Sequence, residues 1–250
     1  MKYDVIIVGA GPAGLFTAYE LINKKNTLKI LLIDQGKFSD KRACPMAKTG
    51  KCINCNPCNV LSGYGGAGTF SDGKLNFIPK LGKSDLFKYM NEEDANNLID
   101  DTERIFTKFV MDSDVYPSNM DEALEFKRKV SLVGARLLLI KQKHLGSDHL
   151  PNYITNFTNY LKEKGVEVLE QTEVLDIQSI SKNKHVLKCR HFKEEAIYEA
   201  KKVVVAPGRT GAKWVQELAD KYDIPYLSQS IEIGVRVEVR KEILDQICNV

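Results

Sequence analysis

Close to the start of the chain, Gly9-Ala10-Gly11-Pro12-Ala13-Gly14 forms a G-x-G-x-x-G run between an apolar stretch and a helix-patterned one. A lone run of this kind says little, because glycine turns are common. Here Tyr3 to Val8 (YDVIIV) reads as a buried strand, Ala13 to Lys24 has helical periodicity, and Lys29 to Asp34 (KILLID) reads as a second buried strand. Strand, glycine turn, helix and strand within about 30 residues is the opening unit of a doubly wound parallel sheet. In such a unit Gly9 permits the tight turn, Gly11 lets a pyrophosphate reach the backbone, and Gly14 lets helix and strand pack closely. Pro12 and Ala13, at the entry to the helix, are further candidate contacts, because the helix N-terminus offers free N–H groups and a partial positive charge to the phosphates. Asp34 follows Gly14 at the spacing of an acceptor for ribose hydroxyls, with Gln35 beside it. A turn that merely packs, with no ligand, is the plain alternative; the full context argues for a dinucleotide site.

The totals set few other limits. With 250 residues the chain is long enough for one large domain or two modest ones. Its 36 basic and 33 acidic side chains leave a net charge of +3, too balanced for a nucleic-acid or membrane-surface binder. The uncharged stretch Val5 to Tyr19 is broken by Gly9, Gly11, Pro12 and Gly14. It is therefore read neither as an export signal nor as a bilayer span, and the cytoplasm is the expected compartment. In that compartment the six cysteines are expected to stay reduced, which favours metal, redox or packing roles over a disulfide framework.

Residues 36–84 contain no long periodic segment, and so long a loop region in a compact domain is usually functional. Asp85 to Val110 is expected to be one helix, Asp121 to Lys129 a weaker one, and Leu137 to Ile140 a short strand. Ser147 is the expected N-cap of a helix running to Lys164, stopped by Gly165. From Val166 the period changes to two. Short strands are expected over Glu167 to Glu170, Glu173 to Ile180, His185 to His191, Ala196 to Ala200 and Val203 to Ala206, and a further one over Ile231 to Val239. The fold class is α/β: a Rossmann-like dinucleotide-binding domain with a parallel sheet and a β-meander. Its expected extent is residues 1–84 and 150–225, with a helical insertion over 85–149 and the start of an incomplete second, substrate domain over 226–250.

Asp34 argues against a simple NADP reading and leaves NAD and FAD. An NAD domain normally continues into further crossovers of similar length. This chain moves instead to a glycine-rich block, a helical insertion and a meander, which favours FAD. The block Ser62 to Lys74 (SGYGGAGTFSDGK) exposes backbone N–H groups able to cradle an anion or flank a flat ring. Gly66, Gly68, Thr69, Phe70, Ser71, Asp72, Gly73 and Lys74 are its candidate contacts, and Arg42 and Lys74 are expected to add positive charge near a pyrophosphate. Just before the block, Cys52, Cys55 and Cys58 form C-x-x-C-x-x-C, with Cys44-Pro45 upstream. Zinc usually takes two separated C-x-x-C pairs, and in the bacterial ferredoxin signature the Cys-Pro pair follows the run. An iron–sulfur cluster or zinc on Cys44, Cys52, Cys55 and Cys58, a redox dithiol, and plain packed cysteines all stay open. Cys189 and Cys248 read as core residues.

Taken together, YDVIIVGAGPAGLF, LLIDQG, the segment from Cys44-Pro45 through SGYGGAGTFSDGKLN, HLGSD, VVVAPGRTGAKW and IEIGVRVEV resemble a known family. It is the group of uncharacterised bacterial FAD-dependent dehydrogenases in the two-dinucleotide-binding-domain flavoprotein class. The resemblance spans essentially the whole chain. It implies FAD held by Gly9, Gly11, Gly14, Asp34 and the glycine block, with Ala206, Pro207 and Gly208 lining the adenine half and Val174 on a strand that touches adenine. It implies a flavin oxidoreductase acting on a small-molecule substrate or electron donor, with NAD(P)H a candidate donor, and it supplies neither a substrate nor a catalytic residue. Proteins of this class continue further, with a late Gly-Asp fingerprint for the ribityl chain that is not found in these 250 residues, so the chain is expected to be the N-terminal portion of a longer protein. Two other functions are kept beside it: an iron–sulfur flavoprotein passing single electrons, and a non-enzymatic nucleotide-binding module with a zinc-held loop.

Overall fold

Apolar runs too short for a helix become the central strands of a sheet in the computed structural model of the chain. The structure describes residues 2–71, 73–109, 113–146, 148–227, 239–240 and 242–243. It divides into two compact units, one of residues 1–73 and 146–226, the other of 74–145 and 227–250. Apart from Val239, the strand expected over 231–239 lies outside the described residues, as do Asp72, Ser147 and Cys248.

The first unit is built on a mixed six-stranded sheet. Its strands are β1 (Lys2–Val8), β2 (Ile30–Ile33), β3 (Glu167–Leu169), β4 (Thr172–Ser181), β5 (Lys184–His191) and β6 (Glu194–Val205). The spatial order is β3-β2-β1-β6-β5-β4. β3, β2, β1 and β6 run parallel, and β6, β5 and β4 continue the same sheet as an antiparallel meander. This is the expected α/β class, with one difference. The two strands expected over 196–200 and 203–206 are a single one, β6. Its first half pairs with β5 and its second half with β1, so one strand belongs to both the meander and the parallel layer.

Helix α1 (Pro12–Lys24) crosses from β1 to β2, burying Leu15, Ala18 and Ile22. Helix α2 (Leu150–Glu163) packs beside it, with the Phe157 ring edge-on to Phe16 at 5.4 Å and to Tyr19 at 5.8 Å. α2 starts at Leu150, with Pro151 in its first turn, where a missing N–H costs nothing. The side chains of Ile30, Leu31, Leu32 and Ile33 are fully buried, each worth about 1.5–3 kcal/mol relative to exposure. On one face Ile6, Val8, Leu31 and Ile33 join Val174, Ile177, Leu187 and Cys189 in a single cluster, which Trp214 and Leu218 of helix α3 (Ala212–Lys221) pack against. The meander therefore curls back over the parallel strands. At the point of return the N–H groups of Gln171 and Thr172 donate to the carbonyls of Gly36 and Asp34, at 2.8 and 2.9 Å.

The second unit holds helices Glu92–Lys108 and Met120–Leu132, a two-stranded hairpin (Lys80–Leu81 with Ser84–Asp85) and a three-stranded antiparallel sheet. That sheet pairs Gln142–His144 with Lys74–Asn76 and with Val115–Tyr116. The single helix expected over 85–110 is interrupted. A 3-10 turn, Leu86–Lys88, precedes the helix, and the Asn91 side chain accepts the Asp94 N–H at 2.8 Å, making Asn91 an N-cap and fixing a new start. Leu137 to Ile140 forms no strand; pairing with the two neighbours selects the polar segment just after it.

Candidate functional site

A cleft of about 590 Å³ opens outside the carboxyl ends of β1, β2 and β6, lined entirely by residues of the first unit. This is where open α/β sheets place ligands, at the strand whose two neighbours are reached by different connections. Its size is that of a small-molecule site. The floor is the glycine turn. Gly9 has φ +101, and a Cβ there would lie 2.1 Å from the Ala206 carbonyl oxygen, so only glycine allows this turn to touch the loop after β6. A Cβ on Gly14 would stand 1.8 Å from the Gly9 oxygen, the close packing expected of the third glycine. Gly11 differs. Its φ is an ordinary −71, and the nearest atom to an added Cβ, the Gly66 Cα, is 3.8 Å away. The protein leaves room at Gly11 that the fold does not need.

The first intrahelical bond of α1 runs from the Leu15 N–H to the Gly11 carbonyl at 3.0 Å. Pro12 has no N–H, so those of Ala13 and Gly14 are the orphan donors of the first turn. Asp34 directly follows β2 and faces this turn. Its Oδ2 accepts the Ala10 N–H and its Oδ1 the Gly36 N–H, both at 2.8 Å. Burial raises the Asp34 pKa, opposed by the N–H groups of Ala10, Gly36 and Gly63 and by the charge of Arg42, and the net direction is upward. Three N–H donors leave the carboxylate about one of its four acceptor sites for a further donor.

The glycine block folds back onto the turn. The Gly65 N–H donates to the Ala10 carbonyl at 2.8 Å, and fully buried Tyr64 donates its hydroxyl to the Leu32 and Leu169 carbonyls at 3.0 and 3.3 Å. Gln35 bridges two walls, its Nε2 donating to Ser62 Oγ at 3.1 Å and Thr210 Oγ1 at 3.4 Å. The Thr172 N–H is bonded to the Asp34 carbonyl, and Val174 and Leu175, further along the same strand, line the cleft with Asp34. Trp214, the only tryptophan, closes that end, held by its Nε1–H on the Leu175 carbonyl at 3.2 Å.

Of the sequence candidates, Gly9, Gly11, Pro12, Asp34, Gln35, Gly66, Gly68, Ser71, Val174, Ala206, Pro207 and Gly208 line the cleft. Ala13, Gly14, Thr69, Phe70 and Gly73 belong to the same unit without lining it, Asp72 lies outside the described residues, and Lys74 begins a strand of the second unit. Arg42 departs most from expectation. It is buried at 7% exposure, off the cleft wall, and its guanidinium is engaged with backbone carbonyls. Burial pushes its pKa down to about 10, while the charge of Asp34 holds it up. Lining residues not named as candidates are Val8, Ile33, Leu61, Ser62, Ala67, Thr172, Glu173, Leu175, Arg209, Thr210, Gly211 and Trp214. Ser62 and Ala67 lie inside the glycine block, and Arg209, Thr210, Gly211 and Trp214 inside the quoted VVVAPGRTGAKW.

The cysteines are not drawn together. Cys44, Cys52, Cys55, Cys58 and Cys189 are free thiols, and among the described residues no three His, Cys, Asp or Glu side chains are grouped to hold a metal ion. The cluster or zinc set, one of the three readings left open for Cys44, Cys52, Cys55 and Cys58, finds no such grouping among the described residues. The segment is a run of turns around one short helix, Met46–Thr49, and leaves Cys52 exposed and the other three half-buried. Buried Cys189 is a core residue, its thiol pushed up to about 12 by burial. Among the described residues no helix is long and apolar enough to cross a membrane.

No family model matches the chain. An uncharacterised protein of Clostridium beijerinckii is 25% identical over 253 residues, covering 98% of this chain and 38% of that protein. One from Methanosarcina barkeri is 43% identical over 53 residues, 21% of this chain and 13% of that protein. The chain therefore spans less than half the length of these relatives. Among solved structures, glycine oxidase from Geobacillus kaustophilus is similar with a TM-score of 0.49 and 18% identity, over 89% of this chain and 58% of that one. A flavoprotein/dehydrogenase from Cytophaga hutchinsonii has a TM-score of 0.45 and 14% identity, over 89% of this chain and 42% of that one.

Proposed function

We propose that this chain carries the FAD-binding part of a flavin-dependent oxidoreductase. The observation that carries the reading is the glycine block seated on the G-x-G-x-x-G turn through the Gly65 N–H to Ala10 carbonyl bond. A mononucleotide needs only the turn and Asp34. A second glycine-rich wall beside the turn lengthens the cleft for a dinucleotide, and the meander set against Asp34 gives the base an apolar seat at Val174 and Leu175.

The residues present fit that cofactor. Gly11 leaves a hollow where a pyrophosphate meets backbone, the N-terminus of α1 opens beside it at Pro12, and Asp34 keeps an acceptor site for a ribose hydroxyl. When bound, the flavin supplies hydride or single-electron chemistry. This chain's own residues bind and orient the cofactor. The Asp34 carboxylate fixes the ribose, the turn neutralises phosphate charge through N–H dipoles, and Trp214 with Val174 excludes water from the base. NAD(P)H is the electron donor this reading implies, and it names no substrate.

Titration of the purified chain with FAD and with NAD tests the proposal, using quenching of the single Trp214 as the signal. FAD is expected to quench to a stoichiometric end point and to stay with the protein through gel filtration. Saturable binding of NAD with none of FAD would turn the reading into a nicotinamide site, and binding of neither would leave a packing turn.

A further inference from the structure

The glycine block is held from behind by one side chain. Arg42 donates Nε–H to the Asn59 carbonyl at 2.9 Å and Nη2–H to the Val60 carbonyl at 2.7 Å. Its Nη1 donates to the carbonyls of Tyr64 and Gly66, at 2.8 and 2.9 Å, and to Thr69 Oγ1 at 3.1 Å. The guanidinium also lies over the Phe70 ring, 4.8 Å from its centroid. A planar fork with five N–H groups can hold several carbonyls in fixed directions; an ammonium cannot.

Those directions matter because a trans peptide points its C=O and the next N–H to opposite sides. The Tyr64 carbonyl faces Arg42, and the Gly65 N–H on the same peptide points the other way, onto the Ala10 carbonyl of the turn. The Gly66 carbonyl also faces Arg42, so the N–H of Ala67, a residue of the cleft wall, is turned away from Arg42.

We infer that Arg42 is a positioning residue of the cofactor site: it holds two peptide planes of the glycine block so that their N–H groups face the turn and the cleft, without touching the cofactor. The inference rests on the FAD reading above. It also reverses the simpler expectation that a cation in this segment meets the pyrophosphate itself.

Two measurements test it. The first needs no ligand. Hydrogen–deuterium exchange over residues 62–71 is expected to show a protected Gly65 amide in the wild-type chain and a fast-exchanging one in R42K. The second compares FAD with AMP, which carries the base and ribose for the Asp34 end of the cleft and only one of the two phosphates that meet the turn and the glycine block. R42K is expected to bind AMP within about twofold of wild type and FAD about tenfold or more weakly. Guanidinium ion is expected to restore FAD binding to R42A, and methylammonium is not. If R42K keeps wild-type FAD affinity, a bare charge suffices and the positioning role is overturned. An equal loss of AMP and FAD overturns it too, because that is the mark of general destabilisation. Should Arg42 variants fail to fold, T69V, which removes one acceptor of the fork, is expected to weaken FAD by about threefold with AMP unchanged; equal effects on both ligands again overturn it. If the wild-type chain binds no FAD, it is the cofactor reading that fails, while the exchange of the Gly65 amide still decides what Arg42 does.

Discussion

At the scale of single residues, the two glycines of the turn separate folding from binding. A side chain at Gly9 meets backbone at 2.1 Å and a φ of +101, so Gly9→Ala is expected to cost about 3 kcal/mol or more and to lower the Tm sharply. At Gly11 the protein offers 3.8 Å of clearance and an ordinary φ. Gly11→Val is therefore expected to fold with a stability change of about 1 kcal/mol or less, yet to lose FAD, because its methyl groups fill the hollow. Thermal melts of both proteins, with and without FAD, check the pair. A Gly11→Val protein that still holds stoichiometric flavin removes the turn from the site. Asp34 adds a pH dependence. Its pKa is raised in the free protein, so the stability linked to its proton is fully present below the ordinary value of 3.8 and is lost as pH rises through the raised one. Ribose hydroxyls donating to the carboxylate favour the ionised form and lower that pKa on binding. FAD affinity is thus expected to climb as pH rises through the raised value and then level off. A flat profile across that range in Trp214 titrations means that the ribose does not meet Asp34.

Among the elements, the most exposed liability is β4, ten residues long at the edge of the sheet. Unpaired edge groups invite other strands, and here helix α3 and the turn after it cover them with side chains. Trp214 takes the Leu175 carbonyl, and Lys221 the Ile177 carbonyl at 3.0 Å. The Tyr222 hydroxyl donates to the Ile177 carbonyl at 2.6 Å and accepts the Ser179 N–H at 3.0 Å. Tyr222→Phe removes one donor and one acceptor at once, and is expected to cost about 1–2 kcal/mol in urea denaturation at an unchanged m value. A variant as stable as wild type would make the cover incidental. None of this covering was legible in the sequence, since Trp214 and Tyr222 meet β4 across about 40 positions of chain. What was legible had a local cause: β1, α1 and β2 from buried runs and a glycine turn, and β4 and β5 from their alternation. The long strand β6 was split by Lys201 and Lys202, whose charges look like a turn in sequence; Lys201 instead reaches Asp4 at 2.7 Å. The role of Arg42 was hidden for a related reason. A buried guanidinium is tolerable only where carbonyls converge, and only the folded loop brings those of residues 59, 60, 64 and 66 together.

For the whole molecule, the chain path makes a separable prediction. The first unit is left at Gly73 and re-entered at Gly146, and these points adjoin: a Cβ built on Gly73 would lie 2.7 Å from the Gly146 nitrogen. Every residue lining the cleft, and every carbonyl held by Arg42, lies in residues 1–73 or 146–226. Closing a gap between neighbouring ends adds little chain entropy, and insertions are tolerated where their ends meet. A protein of residues 1–73 joined to 146–226 by a short glycine linker is therefore expected to fold cooperatively. Its Trp214 emission should match that of the parent chain, and AMP should bind within a factor of about two, because all the contacts of that end of the cleft are kept. Urea denaturation followed by Trp214 fluorescence, with AMP titration beside it, gives both readings on one sample. If the joined protein is unfolded, the first unit takes its stability from the residues removed, and the sheet, its covering helices and the cleft do not form an autonomous dinucleotide-binding module.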